Sequence, residues 1–247
     1  GLAGAVDEAL AAQVKTTLGA LPATGLSRVD LPSASGIRGR TLIIERKTSS
    51  TAGSFGLTTP LRRDSPEFRA LFIALSYFGE HRQEHGVLFQ EVRERRGLNY
   101  GTYAYAQHYR QDRHGSVPLT NILRSQQDIT LWLRPVSPGN AVFATRAVLH
   151  FLEELRTKPI STERFETARG FLIGATRNWA TTDQRRLGWA IDDVIAGTPD
   201  FLGSVRQALQ TITPAQAQAA VQKYLAPEQL NFVFVTQDAA GLAAALQ

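Results

Sequence analysis

Five consecutive residues, His81-Arg82-Gln83-Glu84-His85, carry the pattern H-x-x-E-H. On a helix, two histidines four apart share a face that can hold zinc, with the glutamate between them as general base. Glu163 lies downstream at a separation that suits a third ligand. Taken alone, these residues would make the chain a self-sufficient zinc peptidase. The surrounding sequence argues against the helix that this chemistry needs. Ser65-Pro66-Glu67 opens a helix with an N-cap serine, a proline at the first position and an acid in the first turn, and that helix should stop near Gly79. His81 and His85 then fall in the loop before a short helix expected over Val87–Arg96. Glu163 has a structural reason of its own, because an acid in the first turn of a helix favours the helix dipole.

Arg93 and Tyr100, seven positions apart, form a second pair. By spacing alone they read as a surface arginine in an Arg/Glu-rich helix and a tyrosine at the edge of the core. Tyr103, Tyr105 and Tyr109 alternate along an expected strand, and an aromatic stripe of this kind is expected to be a sheet face packed under helices. His108, His114 and His150 are isolated. His150 sits between Leu149 and Phe151 on an apolar helix and is expected to be a packed core or boundary residue. Asp192-Asp193 is expected to be a solvated or arginine-paired face. There is no phosphate-cradling glycine loop and no strand-to-helix nucleophile turn.

Composition narrows the classes further. The chain has 247 residues and no Cys, so disulfides, thiolate zinc sites and thiol catalysis are excluded. The net charge is +5, with 23 Arg against 4 Lys. The arginines are scattered among acids and no nucleic-acid fingerprint is present, so a nucleic-acid partner is not expected. No apolar run is long enough to span a membrane. Gly1 opens the sequence and Met is absent, so a processed product or a fragment is expected.

The elements that must position these residues follow from periodicity and punctuation. An Ala-rich helix is expected over residues 4–20, with Leu10, Val14 and Leu18 on one face, followed by a Pro/Gly/Ser linker that includes Pro32–Gly39. Strands are expected at Thr41–Lys47, Thr51–Thr59, Asn99–Tyr109, Gln127–Val136 and Leu230–Gln237. Helices are expected at Ser65–Phe78, from Ser137-Pro138 to Lys158, from Ser161 to Ala180, and at Thr182–Ala196, Pro199–Thr211 and Pro214–Leu225, with a short one closing the chain. This order predicts an α+β fold with one mixed, mostly antiparallel sheet and helices on one face.

The segment Leu88-Phe89-Gln90-Glu91-Val92-Arg93-Glu94-Arg95-Arg96-Gly97-Leu98-Asn99-Tyr100 resembles the second, non-zinc domain of pitrilysin/insulinase peptidases, which reads L-F-x-x-h-R-x-x-x-G-h-x-Y, where h is apolar. Ser65–Gly79, Leu131–Asn140, Ser161–Gly174 and Ile212–Leu225 are similar to the other helices and strands of that domain, in the same order. The resemblance covers residues 25–247, and residues 1–24 are expected to be the closing helix of an upstream domain plus a linker.

The resemblance implies a sheet of about five or six strands of the pitrilysin/mitochondrial-processing-peptidase kind. Two such domains face each other around an extended peptide. One supplies H-x-x-E-H and a downstream Glu for zinc, and the other supplies an Arg and a Tyr, here Arg93 and Tyr100. Zinc is then expected in the partner domain, upstream or on a separate subunit, and not in this chain. In that domain the position of His81–His85 is a Gly/Ser-rich loop, and the helix equivalent to the zinc helix is Ser65–Phe78, which has no His. A guanidinium can hold substrate carbonyls, and a tyrosine hydroxyl can donate to the oxyanion formed when zinc-bound hydroxide attacks. A non-enzymatic assembly subunit of the same fold is the competing reading, and export to a bacterial periplasm is implied by resemblance alone.

Overall fold

The computed structural model describes residues 1–22, 25, 36–106, 118–122 and 126–247. Five strands form one sheet: β1 (Thr41–Glu45), β2 (Thr51–Thr59), β3 (Tyr103–Ala106), β4 (Gln127–Val136) and β5 (Asn231–Thr236). Their order is β1-β5-β2-β4-β3, with β1 and β5 parallel and the other neighbours antiparallel. This is the mixed, mostly antiparallel sheet that the element order predicts.

β2 shows how the sheet acquires two different faces. Its residues alternate strictly between buried and half-buried. Phe55 and Leu57 face the core and pair across the ladder with Leu131 and Ile129 of β4. Ala52, Ser54, Gly56 and Thr58 line the reverse face. The period of two thus writes a core face and an open face into one strand.

Helices α2 (Pro66–Gly79) and α3 (Ala141–Thr157) cover the core face, joined by α4 (Thr162–Asn178), α6 (Phe201–Thr211) and α7 (Pro214–Tyr224). Leu71, Ile73, Ala74 and Phe78 of α2 are fully buried, which makes it the central helix. Its start is fixed as its sequence requires: the Ser65 hydroxyl accepts from Phe68 N at 3.2 Å, and Pro66 occupies the first turn. Thr213 and Gln216 form a reciprocal capping box at the start of α7. α5 (Asp183–Ala196) ends at Gly197 in the left-handed region, and α8 (Ala239–Leu246) closes the chain.

Four expectations are corrected. α1 is shorter than anticipated, Glu8–Gly19, and buries no residue. β3 begins at Tyr103, so Tyr100 does not open the strand. The reason is Asn99, whose side chain accepts from Gly101 N (3.1 Å) and donates to the Arg134 carbonyl of β4 (3.1 Å). A side chain here does what ladder pairing would otherwise do. The part of the expected strand beyond Ala106, with Tyr109, His108 and His114, lies outside the described residues.

His150 is not packed: its side chain is 64% exposed and its Nε2 lies 3.4 Å from Glu154 Oε1. The buried stripe of α3 runs through Val148, Phe151, Leu152 and Leu155 and passes it by. Tyr103 of the tyrosine stripe is not under the helices either. Ala104 takes the core face opposite Leu131, so Tyr103 falls on the reverse face with Trp132. There it is buried by the Trp132 ring (5.1 Å) and the edge-on His81 ring (4.7 Å), because the turn after α2 folds over this edge strand.

Asp192 is the arginine-paired alternative, and it is buried rather than solvated. Arg63 Nη1 lies 3.3 Å from Asp192 Oδ2, with the two side chains only 10% and 3% exposed. The Asn121 N–H donates to Asp192 Oδ1 at 3.0 Å, and the guanidinium lies over the Trp189 and Phe201 rings. Burial pushes the Asp192 carboxyl up and Arg63 pulls it back. Asp193 instead ties the end of α5 to α6 through the Thr198 hydroxyl and Phe201 N–H.

Candidate functional site

The segment that carries Arg93 is a wide π-type turn, Phe89–Glu94, rather than an ordinary α-helix. Arg95 N donates to Gln90 O at 3.0 Å, a bond five residues back, and Leu98 N reaches Val92 O at 3.1 Å. Turns of this kind are uncommon and concentrate at functional sites. Phe89 and Val92 anchor the turn in the core. Gly97 then reverses the chain at φ +59°, donating to the Arg93 carbonyl at 2.8 Å. A side chain disfavours that backbone region and glycine does not.

This reversal folds Tyr100 back onto the turn. The Arg93 guanidinium carbon lies 4.9 Å from the Tyr100 ring centroid and 4.6 Å from that of Phe89. Both are within cation–π range. Its Nε also lies 3.3 Å from Glu94 Oε1. The Arg93 side chain is 31% exposed and Tyr100 is 78% exposed. The arrangement is a partly exposed planar cation within reach of two aromatic rings, one of them the exposed phenol. A guanidinium offers directional N–H donors to carbonyl or carboxylate oxygens. Phe89 was not singled out by the sequence reading, although its spacing of four from Arg93 is that of neighbours on a helical face.

The H-x-x-E-H segment is a series of turns, not a helix. Gln83 N donates to Glu80 O and Gly86 N to Gln83 O, while Arg82 takes φ 57°. The His81 ring packs on Tyr103, whereas the His85 ring lies 5.6 Å from that of Phe171 on α4. Burial lowers the His85 pKa, against a hydrogen bond to the Ser76 carbonyl that raises it. Glu84 is exposed, and Glu163 sits exposed in the first turn of α4. The two imidazoles therefore face different neighbours, and among the described residues no group of three His, Asp or Glu is placed to hold a metal. His81, Glu84 and His85 do not fit zinc, and no zinc chemistry follows from them.

Glu80, which the sequence did not mark, is the other chemically distinctive group. Its carboxyl accepts from the Tyr105 hydroxyl at 3.1 Å, and that oxygen in turn accepts from His81 N at 3.1 Å. Burial raises the Glu80 pKa, and burial together with the Glu80 charge raises that of Tyr105. No local pattern signals a pair 25 residues apart.

Among the described residues, no helix is long and apolar enough to cross a membrane. A family model described as the peptidase M16 inactive domain matches residues 1–172. Among solved structures, a peptidase M16 inactive domain from Pseudomonas fluorescens is 22% identical with a TM-score of 0.71, covering 92% of this chain and 49% of that one. A protease from Helicobacter pylori is 12% identical with a TM-score of 0.72, covering 95% and 54%. The first half of the periplasmic protease PqqL from Escherichia coli is 14% identical with a TM-score of 0.67, covering 98% and 51%. At these identities the likeness is one of fold, and the chain spans about half the length of each. A comparison with curated proteins gives no match. The matched segment contains the whole π-type turn and its returning tyrosine, and the chain belongs to the peptidase M16 inactive-domain family.

Proposed function

We propose that this chain is the non-zinc half of a zinc-dependent endopeptidase and closes the peptide chamber opposite an H-x-x-E-H half. The observation that carries the proposal is the clamped Arg93 beside Tyr100, presented to solvent on the π-type turn. Arg93 holds backbone carbonyls of an extended peptide. The Tyr100 hydroxyl donates to the oxyanion that develops on the scissile carbonyl. The zinc half is an upstream domain of the same polypeptide or a separate subunit. A periplasmic protease that shares this fold in about half of its first half supports an extracytoplasmic location.

The test is reconstitution. The chain is mixed with its H-x-x-E-H half, and hydrolysis of a quenched fluorescent peptide is followed. Tyr100→Phe removes only the hydroxyl and should lower kcat by a factor of roughly a hundred, as loss of one oxyanion donor does. Arg93→Ala should lower kcat/KM at least as much. Both variants should melt within about 1 kcal/mol of the parent, since neither side chain is buried. Unchanged turnover in both variants rejects the assigned roles. A stable complex that hydrolyses nothing favours the assembly-subunit reading instead.

A further inference from the structure

A cleft of about 560 Å³ opens between the end of α2, the edge strand β3 and one face of α4. Its walls are the rings of Phe72, Tyr105, Phe171 and Trp179, and its polar end is the Glu80 carboxyl. Phe72 and Trp179 meet edge to face at 5.6 Å, which fixes two of the walls. Gly170 and Gly174, four apart on α4, keep the near side open, and a Cβ at either position would meet nothing within 4 Å.

Glu80 is held, not adventitious. The Tyr105 oxygen already accepts from His81 N–H, so the phenolic proton is directed to Glu80 Oε1. A carboxylate has about four acceptor sites, so the bonds from Tyr105, Ser76 and the His81 backbone leave room for an incoming donor. Among the described residues that line the cleft, Glu80 is the one with a carboxyl, and none is a Lys or an Arg. Burial raises the Glu80 pKa, against the hydrogen bonds that it accepts.

A half-buried carboxylate at the end of a space walled by aromatic faces is the combination that favours an organic cation over a neutral or anionic group. We infer that this cleft binds the basic side chain of a peptide, the guanidinium of arginine or the ammonium of lysine, seated against Glu80 between the rings. The inference does not depend on the proposed role of Arg93 and Tyr100, and it is tested on the chain alone.

The experiment is titration calorimetry of the 247-residue chain with N-acetyl-arginine amide and N-acetyl-lysine amide. N-acetyl-citrulline amide, the uncharged isostere of the arginine probe, is the control. Saturable binding of at least one basic probe is expected, with citrulline weaker by about tenfold or more. Glu80→Gln keeps the shape and removes the charge, and should weaken the basic probe by about the same factor. Gly174→Leu fills the cleft from the α4 side with a better helix former, leaves Glu80 intact, and should abolish binding. If Glu80→Gln fails to fold, Gly174→Leu and the citrulline control still decide. Citrulline binding equal to arginine, binding unchanged in the folded variants, or no saturation by about 10 mM of either basic probe overturns the inference.

Discussion

The Arg93 guanidinium carbon lies 4.9 Å from the Tyr100 ring centroid, although the two residues belong to different local structures, a π-type turn and the loop before β3. Their approach depends on the reversal at Gly97, at φ +59°. Placing a Cβ in that region costs about 1–2 kcal/mol. Gly97→Ala should therefore lower the urea midpoint modestly and lower turnover of the reconstituted enzyme by more than the stability loss accounts for. Equal losses in both would mean that the reversal serves folding alone.

Phe89 forms the second face of the clamp, 4.6 Å from the guanidinium carbon. Phe89→Leu keeps an apolar side chain in the core at a cost of about 1–1.5 kcal/mol. It should raise KM or lower kcat in the reconstituted assay, because Arg93 loses a surface that restricts its orientation. Steady-state kinetics identical to the parent would show that Tyr100 and Glu94 suffice to orient Arg93.

The buried Arg63–Asp192 pair predicts an asymmetric double-mutant cycle. Asp192→Ala removes the buried carboxylate that faces a guanidinium with only 10% exposure and should cost about 3–5 kcal/mol. Arg63→Met combined with Asp192→Leu should recover much of that loss, since two apolar groups leave no unpaired charge. Chemical denaturation of the three variants measures this directly. A double variant no more stable than Asp192→Ala refutes the account.

His85 and Glu80 give opposite pH dependences. Burial holds His85 below its ordinary value of about 6.5, so the unfolded chain takes up the proton first. The stability contributed by neutral His85 is present above about pH 6.5 and is lost as the pH falls toward its folded value. Glu80 is raised by burial, so its contribution is full below the unfolded carboxyl range, about 4.3, and is lost as the pH rises through its folded value. Melting curves between about pH 7 and 5 should show a shallower acid loss in His85→Gln and a steeper one in Glu80→Gln. Parallel curves for all three proteins would contradict both assignments.

Zinc content separates this chain from a complete peptidase. After zinc loading and desalting, the chain should retain far less than one zinc per molecule. One tightly held zinc, lost in His81→Ala, would make the H-x-x-E-H loop a real site and reverse the reading of it.

The sequence determined the elements whose signals are local. Ser65 with Pro66 placed the start of α2, Pro214 that of α7, and alternation gave β4 at its observed limits, while Pro60 marked the end of β2. Gly79 was enough to place His81–His85 outside a helix, because a stop signal also acts within a few residues. Other features depended on partners far along the chain. Tyr103 turned to the reverse face because β3 is the edge strand and pairs Ala104 with Leu131. Asp192 became buried because Arg63, 129 residues away, reaches it. Glu80 acquired its environment from Tyr105 and α4. Arg93 and Tyr100 were visible as a spacing, but only the π-type turn and the left-handed Gly97 brought guanidinium and ring together. Capping and alternation are short-range energies that sequence order preserves, whereas burial and charge pairing are set by which distant surfaces the closed fold presses together.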